Sequence, residues 1–147
     1  MTTTSTFATD LDVVKAFYTK LLSSPSAPEA LTRDDLYSVL SEDYVGDPTP
    51  PAGPGAEGVF NTIMFFGEAV PDLTWEPQEI LQHGNRYTVR ARATGTPVGP
   101  FLGVEPATGR GFDVMSIDIL TVEDGRVVHA YHVEDWATAI AQLTATD

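Results

Sequence analysis

Arg90, Asp118, His132 and Asp135 are of types that move protons or steady a growing negative charge. A carboxylate takes and returns a proton near neutral pH when an apolar wall raises its pKa. Asp135 offers that function, but it also precedes a short apolar-periodic stretch that it can cap as a helix. The two uses oppose each other, because a cap holds the carboxylate ionised. His132 shares a strand face with Val128 and Ala130, while His129 shares the other face with Tyr131. One of these imidazoles therefore faces the concave side of a sheet, as a proton carrier near pH 7 or as a hydrogen-bonded strand histidine. Arg90 and Arg92 share a face of one strand, and Asp118 lies mid-strand with Ser116 on its own face. If those faces meet, an Arg–Asp pair can polarise a carbonyl or hold an enolate oxygen. On the outer face the same residues make a structural ion pair.

Large apolar side chains surround these groups in the sequence. Tyr18, Phe60, Met64, Trp75, Phe101 and Met115 exceed what short helices and one sheet need for packing, so some of them are expected to line a pocket. With Arg92 and Tyr131 they are the expected ligand contacts. Phe101 and Leu102 sit in a loop and are the candidates for a pocket mouth.

Composition excludes several other functions. Lys plus Arg total 8 against 21 Asp plus Glu, a net charge of −13, and no basic cluster exists. A nucleic-acid partner and an anionic membrane surface both lack their electrostatic footprint. With no cysteine there is no disulfide, thiol nucleophile or Cys-based metal site. Scattered His83, His129 and His132 do not make a metal site. Phosphate-binding glycine loops and the Gly-x-Ser-x-Gly nucleophile turn are absent. The N-terminal residues lack the pattern of a secretory signal, and no apolar run approaches the roughly 18 residues of a membrane span. The expected compartment is the cytoplasm.

The elements that must position these residues follow from periodicity. Asp10 can cap a helix with Leu11, Val14, Phe17, Tyr18, Leu21 and Leu22 on one side. Ser23 to Glu29 reads as a loop. Thr32 and Asp35 suggest a capping box for a second, short helix. Gly46 to Gly58 is too rich in proline and glycine for regular structure. A third helix carries Val59, Phe60, Ile63, Met64 and Phe66. Four strands follow, over Leu73–Gln82, Arg86–Thr96, Phe112–Val122 and Val127–Val133, with turns at Gly84-Asn85 and Asp124-Gly125. A short helix over Trp136–Leu143 closes the chain. Helices segregated from an antiparallel sheet mean an α+β fold. The expectation is one domain over 1–147, with 1–9 as a tail. A curved antiparallel sheet would pack on three N-terminal helices and one short C-terminal helix around an internal pocket.

Several stretches together resemble the SnoaL-like polyketide cyclase and ester-cyclase family. They are Glu42-Asp43-Tyr44-Val45, Gly55-x-Glu57-Gly58 and Pro71-Asp72-Leu73 in the first half. In the second half they are Gly95-Thr96-x-x-Gly99-x-Phe101-Leu102-Gly103-Val104, Thr108-Gly109-Arg110, and Asp118-Ile119 followed by Asp124-Gly125-Arg126-Val127. The resemblance runs from about Leu11 to Leu143. It implies the nuclear transport factor 2-like cone, a small hydrophobic ligand or substrate, and aldol-type ring closure or isomerisation without metal or organic cofactor. It also implies that an Asp near the end of the last strand is the acid/base. The family's aromatic and then Asp four residues on matches Tyr131 and Asp135, though that aromatic is usually Trp. Pro97 stands where the family often has His. On this reading Asp135 is the acid/base, with His132, Arg90 and Asp118 beside it. A non-catalytic binding domain using the same cavity is the alternative. Limonene-type epoxide hydrolases share the fold but want Arg two residues before the strand Asp, where this chain has Ser116. Sheets of this fold commonly pair, so a homodimer is expected, with Tyr87, Val89 and Ile117 or Ile119 between subunits.

Overall fold

A computed structural model describes residues 7–23, 31–105 and 108–146. Of the loop read over Ser23–Glu29 only Ser23 is described, and most of the N-terminal tail lies outside the described residues. Helix α1, Asp10–Ala16, begins one residue earlier than Asp10 capping required: the Asp12 amide donates to the Thr9 hydroxyl at 3.1 Å. Asp10 and Asp12 instead occupy the first turn, where the helix dipole favours negative charge. The helix continues as a π-helix over Phe17–Leu22, and the Ser23 amide donates to the Tyr18 carbonyl five residues back. Helix α2, Arg33–Val39, has the capping box read from Thr32 and Asp35, with both bonds at 3.1 Å.

The strand β1, Leu40–Asp47, was not legible as one. Its polar run Ser41-Glu42-Asp43 hides the alternation, and it lies at a sheet edge, so few of its side chains meet the core. After α3, Gly55–Ala69, come β2 (Thr74–His83), β3 (Arg86–Gly95), β4 (Phe112–Glu123), β5 (Arg126–Glu134) and α4 (Trp136–Leu143). The five-stranded sheet has the order β1-β5-β4-β3-β2. Strand β1 runs parallel to β5, so the curved, open sheet is mixed rather than wholly antiparallel. Edge strand β2 accommodates Pro77 at a break in register between Pro77 and Glu79. The Asp124-Gly125 turn has positive φ at both residues, as a tight hairpin that follows the strand twist requires.

The alternation read in β3 sets the faces. Tyr87, Val89, Ala91 and Ala93 are buried on the inner face, against the helices, together with Val114, Ser116, Asp118 and Leu120 of β4. This corrects the expectation that Tyr87 and Val89 lie between subunits: they belong to the core with Val13, Val14, Leu36 and Val39. The outer face carries Arg90, Arg92, Met115, Ile117, Tyr131 and Val133. No helix among the described residues is long and apolar enough to cross a membrane.

Gly58 in the first turns of α3 is a packing glycine. A Cβ built there would lie 1.7 Å from the Gly53 carbonyl oxygen. Helix propensity alone favours Gly58→Ala by about 0.8–1.0 kcal/mol. The close approach reverses the sign, and the variant should lose about 1–3 kcal/mol in urea unfolding.

Candidate active site

A cavity of about 250 Å³ lies between the inner face of the sheet, α3 and the π-helix. Its walls are aromatic, from Phe17, Tyr44, Phe66, Trp75 and Trp136. Its acidic and basic groups are Asp118, His132 and Glu134. Pro48, Thr49 and Pro51 line it while remaining exposed to solvent, so the segment after β1 forms the outer wall.

Strand register brings the polar groups together. Asp118 stands opposite His132, and Ser116 opposite Glu134, all on the inner face. The Asp118 carboxyl is only 2% exposed. Tyr18, fully buried on the π-helix, donates its hydroxyl to Asp118 Oδ2 at 2.6 Å. Asp118 Oδ1 and the Ser116 hydroxyl are buried with no hydrogen-bond partner among the described residues. Burial pushes the Asp118 carboxyl up to about 7, against the Tyr18 hydrogen bond, which favours the ionised form; Glu134 raises it further and His132 opposes.

His132 Nδ1 lies 3.0 Å from Glu134 Oε1. That contact raises the imidazole pKa more than burial lowers it, with the Asp118 charge and the Pro48 backbone adding to the rise. The phenols of Tyr18 and Tyr44 are held protonated, first by burial and then by the charge on Asp118. Both therefore remain donors at neutral pH. Tyr44 reaches the cavity from β1, and a Cβ at Gly46 would meet its hydroxyl at 3.0 Å, so the glycine leaves room for that ring.

Of the expected site residues, the structure brings Asp118, His132 and Trp75 to the cavity, with Tyr18 behind Asp118. Asp135 is elsewhere. It is the exposed N-cap of α4, accepting from the Thr138 amide at 3.1 Å and its hydroxyl at 2.6 Å. Those two bonds lower its pKa. Arg90 and Arg92 point outward, paired with Glu79 at 3.3 Å and Asp113 at 2.8 Å, so neither meets Asp118. With Ser116 two residues before Asp118 and both arginines outside, the epoxide-hydrolase arrangement is not formed. Met115 and Tyr131 are exposed on the outer face. Met64 is exposed, and Phe60 packs beneath the Arg33 guanidinium, 4.6 Å from the ring centroid. Phe101 is no mouth residue. It is 4% exposed, stacked on Phe112 and edge-on to Phe66 and Trp136, behind the cavity wall.

The sequence reading missed Glu134, Tyr44 and Trp136. Glu134 was detectable, since it lies two residues from His132 on one strand and so shares its face. Tyr44 was hidden with β1. Among the described residues no group of three or more His, Asp or Glu could hold a metal ion. The arrangement can exchange a proton with a ligand at Asp118 while Tyr44 donates to it, in a cavity with aromatic walls.

Comparison with known proteins agrees with this architecture. Residues 13–143 match the family model described as SnoaL-like polyketide cyclase. Wild-type IdmH from Streptomyces antibioticus is 28% identical, with a TM-score of 0.76 over 92% of this chain and 99% of that one. TsrD from Streptomyces laurentii is also 28% identical, with a TM-score of 0.72 over 93% of each chain. A SnoaL-like polyketide cyclase from Agrobacterium tumefaciens, 20% identical, shares the fold with a TM-score of 0.71 over 93% of this chain and 99% of that one. Among curated proteins none shows significant sequence similarity.

The raised carboxyl makes stability depend on pH with a defined sign. An acid whose folded pKa exceeds its unfolded value binds more protons when folded, so stability falls as pH rises between the two values. For Asp118 that window runs from 3.8 to about 7. Relative to Asp118→Asn, the native protein should lose up to about 1.4 kcal/mol per pH unit across it. Parallel urea titrations at several pH values measure the difference.

Proposed function

The chain belongs to the SnoaL-like polyketide cyclase family, and from that premise we propose that it catalyses cofactor-independent acid/base chemistry on a small hydrophobic carbonyl compound, by aldol-type ring closure or isomerisation. The observation that carries the proposal is the Asp118 carboxyl. It is buried beside the cavity with a pKa near neutrality, so it is present in both protonation states. In the ionised state it removes a proton from carbon next to the ligand carbonyl. The enolate attacks a second carbonyl of the same molecule, one carbon–carbon bond forms, and the new alkoxide takes the proton back from Asp118. Atoms balance without oxidant or second substrate. Tyr18 holds Asp118 in place. The Tyr44 hydroxyl supplies a donor for developing negative charge on oxygen, and Glu134 orients the His132 ring beside it. Among the described residues His132 is the only basic side chain lining a cavity that also holds two acidic side chains, which disfavours anionic ligands. Asp118 takes the acid/base role, because Asp135 is engaged as a helix cap outside the cavity.

The test follows exchange of the methyl protons of 2-acetylnaphthalene in D₂O by NMR. The native protein should catalyse exchange, with a rate that rises as pH passes through about 7. Asp118→Asn should lose about 10²–10⁴-fold of it. Asp135→Asn, which keeps a good cap, should keep the rate. A ketone bound by the native protein without catalysed exchange would favour the binding-domain reading instead.

A homodimer is also part of this proposal. Val45, Met115, Ile117, Tyr131 and Val133 are exposed on or beside the outer face, Val133 by 70%. The arginines flanking this strip are neutralised by Glu79 and Asp113. A second copy can therefore meet it without facing uncompensated charge, despite the net charge of −13. Val133→Lys should convert a dimer into a monomer in light scattering; an unchanged mass would remove this face from the interface.

A further inference from the structure

The outer wall of the cavity is held in an uncommon way. Pro48, Pro50, Pro51 and Pro54 carry no amide hydrogen, so the segment has few donors with which to fasten itself. The Gly53 amide donates to the Pro50 carbonyl at 3.0 Å, which folds the segment on itself. Besides the cap bond from the Gly58 amide to the Pro54 carbonyl at 3.3 Å, its hydrogen bonding to α3 runs, among the described residues, through one side chain. The Ala52 amide donates to Thr62 Oγ1 at 3.1 Å, and the Thr62 hydroxyl donates to the Gly58 carbonyl at 2.8 Å. The hydroxyl is thereby used as acceptor and donor at once, and its rotation is fixed. Beside it the backbones of Gly53 and Gly58 lie in contact. Thr62 itself lines the cavity next to the wall it fastens.

We propose that Thr62 is a positioning residue that determines ligand size: its hydroxyl holds residues 48–54 against α3 and so fixes how large a flat aromatic ketone the cavity admits. The proposal rests on the reading of the cavity as a ligand site. It assigns Thr62 no part in proton transfer. When the hydroxyl is lost, the exposed side of the wall beyond Pro48, at Thr49 and Pro51, is free to move outward, while Pro48 stays hydrogen-bonded to His132 through its backbone and Asp118 and His132 keep their places in the sheet. Selectivity changes, and the chemical groups do not.

The test compares binding of 2-acetylnaphthalene and 2-acetylanthracene, which differ by one fused ring. Trp75 and Trp136 are the chain's two tryptophans and both line the cavity, so fluorescence quenching reports occupancy. Thr62→Val keeps the shape and removes the hydroxyl; Thr62→Ser keeps the hydroxyl. The Val variant should shift the affinity ratio toward the three-ring ketone by about fivefold, the factor that one lost hydrogen bond converts to. The Ser variant should keep the native ratio. Hydrogen exchange of the Ala52 amide should accelerate in the Val variant and not in the Ser variant. A native ratio in the Val variant, or an equal shift in both, overturns the proposal. Faster Ala52 exchange with no quenching of the native protein by either ketone overturns the ligand-site reading and the proposal with it. Quenching by both ketones with unmoved exchange overturns the proposal alone.

Discussion

The hydrogen bond from Tyr18 to Asp118 is the constraint around which the site is arranged. It spans 100 residues of sequence and joins the π-helix to the middle of β4. A buried carboxyl without partners is costly, and one with several strong donors is held ionised. Asp118 accepts from Tyr18 on Oδ2, while Oδ1 has no hydrogen-bond partner within bonding geometry among the described residues. Burial outweighs the Tyr18 hydrogen bond and the weaker help of the Val133 backbone, and leaves its proton affinity near neutral pH. Asp135 is the counterexample within the same chain. It has two donors from Thr138 and solvent around it, and its pKa falls. The same residue type thus takes opposite behaviour from its surroundings, and a proton exchanger needs the first.

The neighbouring charges tune this balance. His132 and Glu134 are bonded to each other and lie across from Asp118 and Ser116. Glu134 pushes the Asp118 proton affinity up, and His132 pulls it down. The π-helical turn contributes through its geometry. Such turns are rare and occur often at functional sites. Here the turn carries Tyr18 at one end and is fastened to the cavity wall at the other, where the Ser23 hydroxyl bonds the Tyr18 carbonyl and accepts from the Trp75 amide.

Much of this was legible in the sequence, and the exceptions have physical causes. The β3 alternation, the two hairpin turns and the Thr32 capping box all have local signals, and all are present. Strand β1 lacks such a signal because its pairing is long-range and its outer residues are polar. Missing it cost both the parallel pairing and Tyr44. The inner position of His132 follows from alternation with Ala130, but which face of Arg90 met Asp118 did not. Facing strands place residues in register pairs, and Asp118 pairs with Val89, so Arg90 has to point away. For Asp135 the cap was legible and is the arrangement formed: a short helix with Thr138 in its first turn claims the carboxylate that the family resemblance implied as acid/base.

Parallel pairing of β1 with β5 has a further consequence, for synthesis. The polar floor of the cavity comes from residues 118–134 and its phenol from Tyr44, with Tyr18 behind Asp118. Strand β1 cannot complete its hydrogen bonds until β5 exists, so a growing chain carries the aromatic helices and an unpaired strand edge through most of its translation. Non-local pairing of this kind slows folding and leaves sticky surfaces bare in the interim. Like charge opposes association of such partly folded copies, and the net charge of −13 is of that kind.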